Sequence, residues 1–303
     1  MAFEDYIATE IAVDAADGIL TRREALRRLA LLGLSAPAAV ALLAACGGDE
    51  DTGSVPDGPP AETQNTAPSS TTTTTVAPLE TNLVTFKGPR GNLTGSFSTP
   101  ETPKGAVLII HENRGLTPHF VALPGRVAAS GYSALAVDLL SEEGGTAGLG
   151  DEAKAQAALS AAPRERLVAD SRAGIDELER RAPGQKVGMM GFCFGGAMTW
   201  SVLAAPEPRL AAAVPFYGVL PDGASFTGAK AAVLAIYAGL DARVNASRDA
   251  AVAALKVAGL IHQVNTYDGV DHAFFNDTGA RYNKTAADEA YAALLGWFAT
   301  HLA

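Results

Sequence analysis

The sequence predicts an α/β domain, an open and mostly parallel sheet with helices on both faces, preceded by about eighty residues of different character. Three observations carry that expectation. Short apolar runs recur along residues 81–303, and stretches of helical periodicity separate them. The middle runs are apolar at consecutive positions instead of alternating, as strands covered on both faces require.

The first segment is dominated by TRREALRR, residues 21–28, followed by a modest apolar run from Leu29 to Ala45 that contains Pro37. About seventeen residues interrupted by glycine and proline fall short of the roughly twenty needed to span a bilayer. Arg22 and Arg23 before a short apolar run resemble a twin-arginine export signal. Leu43-Ala44-Ala45-Cys46 resembles a bacterial lipobox, which makes Cys46 the expected lipidation site. Residues 1–46 therefore read as an export signal, the alternative being a plain membrane anchor with a chance cysteine. Residues 47–80 hold GGDEDTGSVPDGPP and SSTTTTT, with six acidic residues and no basic ones. Such a stretch buries too little apolar surface to offset its chain entropy and is expected to be a disordered tether. The expected location is the extracytoplasmic side of a membrane, with the folded domain held there by a lipid on Cys46.

Residues 81–303 are enough for one α/β domain. Segments 82–86 and 93–98, separated by KGPRG, read as a β-hairpin at the sheet edge. Strands are expected at 106–111, 132–137, 186–191, 211–217, 231–237 and 263–268. Helices are expected near 119–130, 151–161, 164–182, 195–205, 245–258 and 285–302. The chain's formal charge is −10, but twelve of its 33 acidic and four of its 23 basic side chains lie in the first eighty residues. The remainder carries 21 against 19, with no basic stripe to suggest nucleic acid.

In such sheets, active groups stand beyond the carboxyl ends of strands. GFCFGG, residues 191–196, follows the strand KVGMM and opens the helical GGAMTWSVLAA. This is the G-x-S-x-G nucleophile-elbow pattern with cysteine in place of serine, in its strand–turn–helix setting. A lone cysteine is ordinarily a small apolar core residue. Here the surrounding glycines and the helix N-terminus, which favours a thiolate, point to Cys193 as a nucleophile. The chain has two cysteines, so a lipidated Cys46 would leave Cys193 without a disulfide partner. A base and its orienting acid should follow, in the order nucleophile, acid, histidine. Asp241 lies in AGLDARV beyond strand 231–237, and His272 in GVDHAFF beyond strand 263–268. Each alone could be an ordinary loop residue; their order and placement select them. HENRGL, 111–116, ends strand 106–111, where esterases of this fold place one oxyanion donor. That gives the backbone N–H groups of Asn113 and Phe194 as the pair.

The set HENRGL, GFCFGG, LDARV and DHAFFN resembles the dienelactone hydrolase family of α/β-hydrolases over nearly all of residues 81–303. The resemblance implies a Cys193–Asp241–His272 triad, with Glu112 keeping the resting thiol protonated and taking up its proton when substrate arrives. A family arginine that binds the substrate carboxylate, four residues beyond the histidine, is replaced by Asn276. Arg281 and Tyr217 are further candidates to line the substrate site. The expected activity is hydrolysis of a small-molecule ester or lactone through an acyl-thioester, with neither metal nor organic cofactor. The rival reading is a tethered lipoprotein that binds its ligand without turnover. Substrate identity and oligomeric state stay open.

Overall fold

The computed structural model describes residues 3–46 and 77–302. Three helices come first: α1 (Phe3–Ala16), α2 (Arg22–Leu31) and α3 (Ala36–Cys46). Then come β1 (Asn82–Lys87), β2 (Asn92–Ser98), β3 (Ala106–Ile110), α4 (Pro118–Ala129), β4 (Ser133–Asp138), the short α5 (Thr146–Leu149), α6 (Glu152–Ala161) and α7 (Arg164–Arg181). The second half runs β5 (Val187–Phe192), α8 (Phe194–Ala204), β6 (Leu210–Phe216), β7 (Ala232–Ala238), α9 (Ala242–Asn245), α10 (Arg248–Val257), β8 (His262–Tyr267) and α11 (Lys284–His301).

The strands form one sheet in the order β1-β2-β4-β3-β5-β6-β7-β8. The hairpin β1–β2 sits at one edge, antiparallel within itself and to β4; all other pairings are parallel. The continuous apolar runs have the expected cause. Every residue of β3, β4, β5 and β7 is buried, because helices cover both faces. Register makes the two faces explicit. Leu108 is level with Met189 and meets α7 at Gly174, whereas the adjacent Gly188 meets Phe298 and Leu302 of the C-terminal helix. Successive strand residues point to opposite faces, so α7 and α11 lie on opposite sides. The sequence-based strand and helix boundaries lie close to the observed ones. The helix expected over 245–258 is α10, and a separate short turn, α9, capped by Asp241, precedes it.

The segment expected to be an export signal packs on the domain. Tyr6, Ile7, Ile11, Ala25 and Leu29 are buried and belong to the domain's apolar core. On α2, Arg28 is buried and donates to Gln156 Oε1 (3.0 Å), and Arg27 pairs with Asp151 (2.5 Å). The physical reason is the apolar stripe Tyr6, Ile7 and Ile11 on α1, which finds cover against the domain. Among the described residues, no helix is long and apolar enough to cross a membrane. Most of the expected tether, 47–76, lies outside the described residues. Its last residues are fixed to the domain: the Leu79 N–H donates to Gly125 O (3.0 Å), and the Ser98 hydroxyl to Glu80 O (2.7 Å).

Candidate active site

Strand β5 delivers the chain into Cys193, which stands at φ 56°, ψ −115° before α8 begins at Phe194. A positive φ on a residue with a Cβ is costly and persists only where the surroundings hold it. Here they do so through close backbone approach. A Cβ on Gly191 would lie 2.0 Å from Gly195 O, and one on Gly196 would lie 2.4 Å from Phe216 O. The Cys193 N–H is held by Phe216 O (3.1 Å). Strand and helix can meet this tightly only through glycine, and the meeting projects the Cys193 side chain from the carboxyl edge of the sheet.

Asp241 follows β7 and His272 follows β8, so both arrive at the same edge. The structure brings them together: His272 Nδ1 and Asp241 Oδ2 are 2.5 Å apart and buried. Asp241 Oδ1 accepts the Val244 N–H at 3.1 Å, which ties the acid to α9. The edge of the Tyr217 ring packs on the imidazole, with centroids 5.0 Å apart. Burial pushes the Asp241 carboxyl up, but His272 and Arg243 outweigh it and hold it below its ordinary range. Burial opposes charge on His272, yet Glu10, Asp241 and Cys193 together raise it well above the usual imidazole range. The Cys193 thiol is pushed up by burial and by Glu10, with His272 pulling the other way.

Beyond β3, burial holds His111 below its ordinary range and hence neutral. Its Nε2 accepts the Leu139 N–H (3.2 Å) and its Nδ1–H donates to Glu112 O (2.7 Å), fixing the backbone of the HENRGL loop. The Glu112 carboxylate accepts from Tyr217 OH (3.3 Å) and from Asn276 Nδ2 (2.9 Å). Its hydrogen-bond partners are therefore these two side chains, while Arg114 pairs with Asp14 and Glu152. Asn276 Oδ1 accepts from Thr278, so the residue in the family's arginine position is committed to structure on both ends. Tyr217, at φ 35°, follows β6 and packs on His272, and Arg281 lines the cavity. Asn113 lines it too, and Phe194 supplies the first N–H of α8.

Sequence reasoning missed the groups contributed by α1. Tyr6 OH lies 3.2 Å from Cys193 Sγ. The Glu10 carboxylate stands 3.3 Å from His272 Nε2 and pairs with Arg243. Asp14 pairs with Arg281 (2.9 Å) and approaches Arg114 (3.7 Å). The four-residue spacing of Tyr6, Glu10 and Asp14 is a readable helical stripe, but nothing in it names the surface it meets. The remaining cavity is about 280 Å³. Glu10, Cys193 and His272 place an oxygen, a sulfur and a nitrogen within 4.8 Å of one another, the one such donor group among the described residues. The Arg243 guanidinium pairs with the other Glu10 oxygen and so puts a positive charge beside this group, which opposes holding a cation there.

A profile of the dienelactone hydrolase family matches residues 93–302. A protein provisionally named carboxymethylenebutenolidase from Saccharolobus solfataricus is 29% identical over 231 residues, covering 64% of this chain and 89% of its own. One of the same provisional name from Escherichia coli O157:H7 is 30% identical over 216 residues, covering 65% and 77%. The crystal structure of a protein from Klebsiella pneumoniae, provisionally named a dienelactone hydrolase, superposes with a TM-score of 0.64 at 27% identity, over 73% of this chain and 98% of that one. With an eight-stranded, mostly parallel sheet closing on this strand-edge constellation, the chain belongs to the dienelactone hydrolase family of α/β-hydrolases.

Proposed function

We propose that the protein hydrolyses ester or lactone bonds with Cys193 as the nucleophile, through an acyl-thioester. The observation that supports this most is the strained Cys193 elbow beside the 2.5 Å Asp241–His272 pair. In the working state, Nδ1–H of neutral His272 donates to Asp241, leaving the Nε2 lone pair to take the thiol proton. The Sγ then bonds to the carbonyl carbon. The Phe194 and Asn113 N–H groups receive the developing oxyanion, each contributing about 3 kcal/mol in comparable sites. The C–O bond breaks, and the imidazolium returns its proton to the departing alkoxide. Water, deprotonated by His272, then attacks the thioester carbonyl, and Sγ leaves and is reprotonated. Glu112, held by Tyr217 and Asn276, places a carboxylate near the thiol that disfavours an idle thiolate. Arg281, which lines the cavity, favours substrates with a negative group, and Tyr217 packs on the His272 ring behind it.

For location, Cys46 is the proposed lipid attachment point of an exported protein. This rests on the lipobox and on Arg22 and Arg23, which are exposed. The mass of the N-terminal peptide from membrane-extracted protein tests it: a diacylglyceryl adduct on Cys46 is expected, and an unmodified Met1 terminus refutes it. The function is tested by assaying the full chain and Cys193→Ala on aryl esters, small lactones and thioesters. Measurable turnover that disappears in Cys193→Ala is expected; measurable turnover that is equal in both would overturn the nucleophile assignment.

A further inference from the structure

We infer that the mouth of the active site is a docking surface for the chain's own acidic helix α1, which occludes the site and keeps the enzyme latent until that helix leaves. The contacts are specific to the reacting groups. Tyr6 OH is on the Cys193 sulfur, Glu10 is at Nε2 of His272, the ring nitrogen not held by Asp241, and Asp14 is on Arg281. These three side chains are spaced by four, so a single stripe of one helix reaches sulfur, imidazole and the cavity mouth in turn.

Two kinds of interaction hold the helix. Ile7 and Ile11 are wholly buried, and Tyr6 is 1% exposed. Each buries a large apolar side chain against the domain, which holds the helix by removing that surface from water. Around them three carboxylates meet three guanidinium groups: Glu10 with Arg243, Asp14 with Arg281 and Arg114, and Asp17 with Arg281. The Arg243 guanidinium also lies over the Tyr6 ring at 4.6 Å. Surface ion pairs alone would hold weakly, but Glu10 and Asp14 are buried with their partners around them. The chemistry of the docked state agrees with its geometry. Glu10 is the leading cause that raises His272, and it also raises the Cys193 thiol. With α1 in place the site rests as thiol and imidazolium, and the base is already protonated.

Release has a structural route. Five residues, 17–21, link α1 to α2, spanning at most about 18 Å. Anything that draws α2 and α3 from the domain therefore draws α1 from the site. Arg22 and Arg23, the export-type pair, remain exposed while α1 is docked. If the chain is processed at Cys46, α1 is removed with the preceding residues, and the site opens only after export.

The inference rests on the cysteine-hydrolase reading for its consequence but not for its test. The full chain is compared with Ile11→Asp, which places a charge in a buried apolar position, and with Tyr6→Ala/Glu10→Ala, which deletes the contacts at the site without adding charge. Three quantities are read: amide exchange of residues 6–16, the rate of Cys193 alkylation by iodoacetamide resolved by peptide mass, and aryl-ester turnover. Melting curves establish that each variant is folded. The expected result is protected α1 amides in the parent, alkylation of Cys193 at least about 10-fold faster in both variants, and turnover raised in step. Unprotected α1 amides in the parent would overturn the inference. So would equal Cys193 alkylation in parent and variants once α1 exchange has risen. Faster alkylation without any ester turnover would uphold the docking while refuting the hydrolase reading.

Discussion

Replacing Asp241 by asparagine isolates the charge that orients the base. The asparagine oxygen can still accept the Val244 N–H, so the cap on α9 survives. Its NH2 would face His272 Nδ1, favouring the tautomer that carries its proton on Nε2 and cannot accept one from Cys193. The lost interaction is also electrostatic. Opposite charges about 4 Å apart at an effective dielectric near 20 attract by about 4 kcal/mol. At about 1.4 kcal/mol per tenfold, that is a loss of about 10³ in kcat/KM. Substitution of the corresponding carboxylate in a serine-protease triad costs about 10⁴, in the same direction. The assay is aryl-ester turnover with and without Asp241→Asn, both chains carrying Ile11→Asp so that α1 does not occlude the site, with circular dichroism to establish folding. A loss smaller than about tenfold in a folded variant would refute the assignment of Asp241 as the residue that fixes His272.

Gly196→Ala should destabilise the fold by about 1–3 kcal/mol, because its Cβ would stand 2.4 Å from Phe216 O and 2.8 Å from the Gly218 Cα, both backbone. The shift of α8 needed to relieve this displaces Cys193, and a misplacement of about 1 Å costs about 10² in rate; melting and kinetics on the same samples read both effects. Glu10→Gln should lower the melting temperature in a pH-dependent way. His272 is raised in the folded state, where Glu10, Asp241 and Cys193 face it and the Tyr217 ring packs on it. Stability from its bound proton is thus full below about pH 6.5 and is lost as pH rises through the raised value. The gap between parent and Glu10→Gln should be widest near pH 6.5 and narrow above it; a gap independent of pH refutes the contact. Glu112→Ala removes the acceptor of both the Asn276 Nδ2–H and the Tyr217 O–H, leaves two buried donors unpaired, and should cost about 1–3 kcal/mol in thermal unfolding. An unchanged melting temperature would show that Glu112 does not hold these two side chains.

Legibility in the sequence followed locality. GFCFGG could be read because strand, turn and helix are contiguous, and the glycines needed for close approach lie beside Cys193 itself. Asp241 and His272 could be read because a parallel sheet sends every strand end to one edge, whatever the distance along the chain. The docking of α1 could not. Its contacts reach from Tyr6 to Cys193, from Glu10 to Arg243 and from Asp14 to Arg281, spanning 187, 233 and 267 positions. Periodicity shows that a helix has an apolar stripe but not which surface covers it. The same holds for Glu112: its place at the end of β3 was legible, but its partners Tyr217 and Asn276 arrive from two other strand ends, with no shared pattern.

Hydrolysis by the proposed route passes through a covalent acyl-enzyme on Cys193. The most direct measurement is acid-quenched turnover of an activated ester by the full chain carrying Ile11→Asp, followed by peptide mass spectrometry. An acyl mass is expected on the peptide containing Cys193, appearing before steady state and absent when Cys193→Ala is added. Turnover with no adduct on that peptide, and with the rate unchanged by Cys193→Ala, would contradict it.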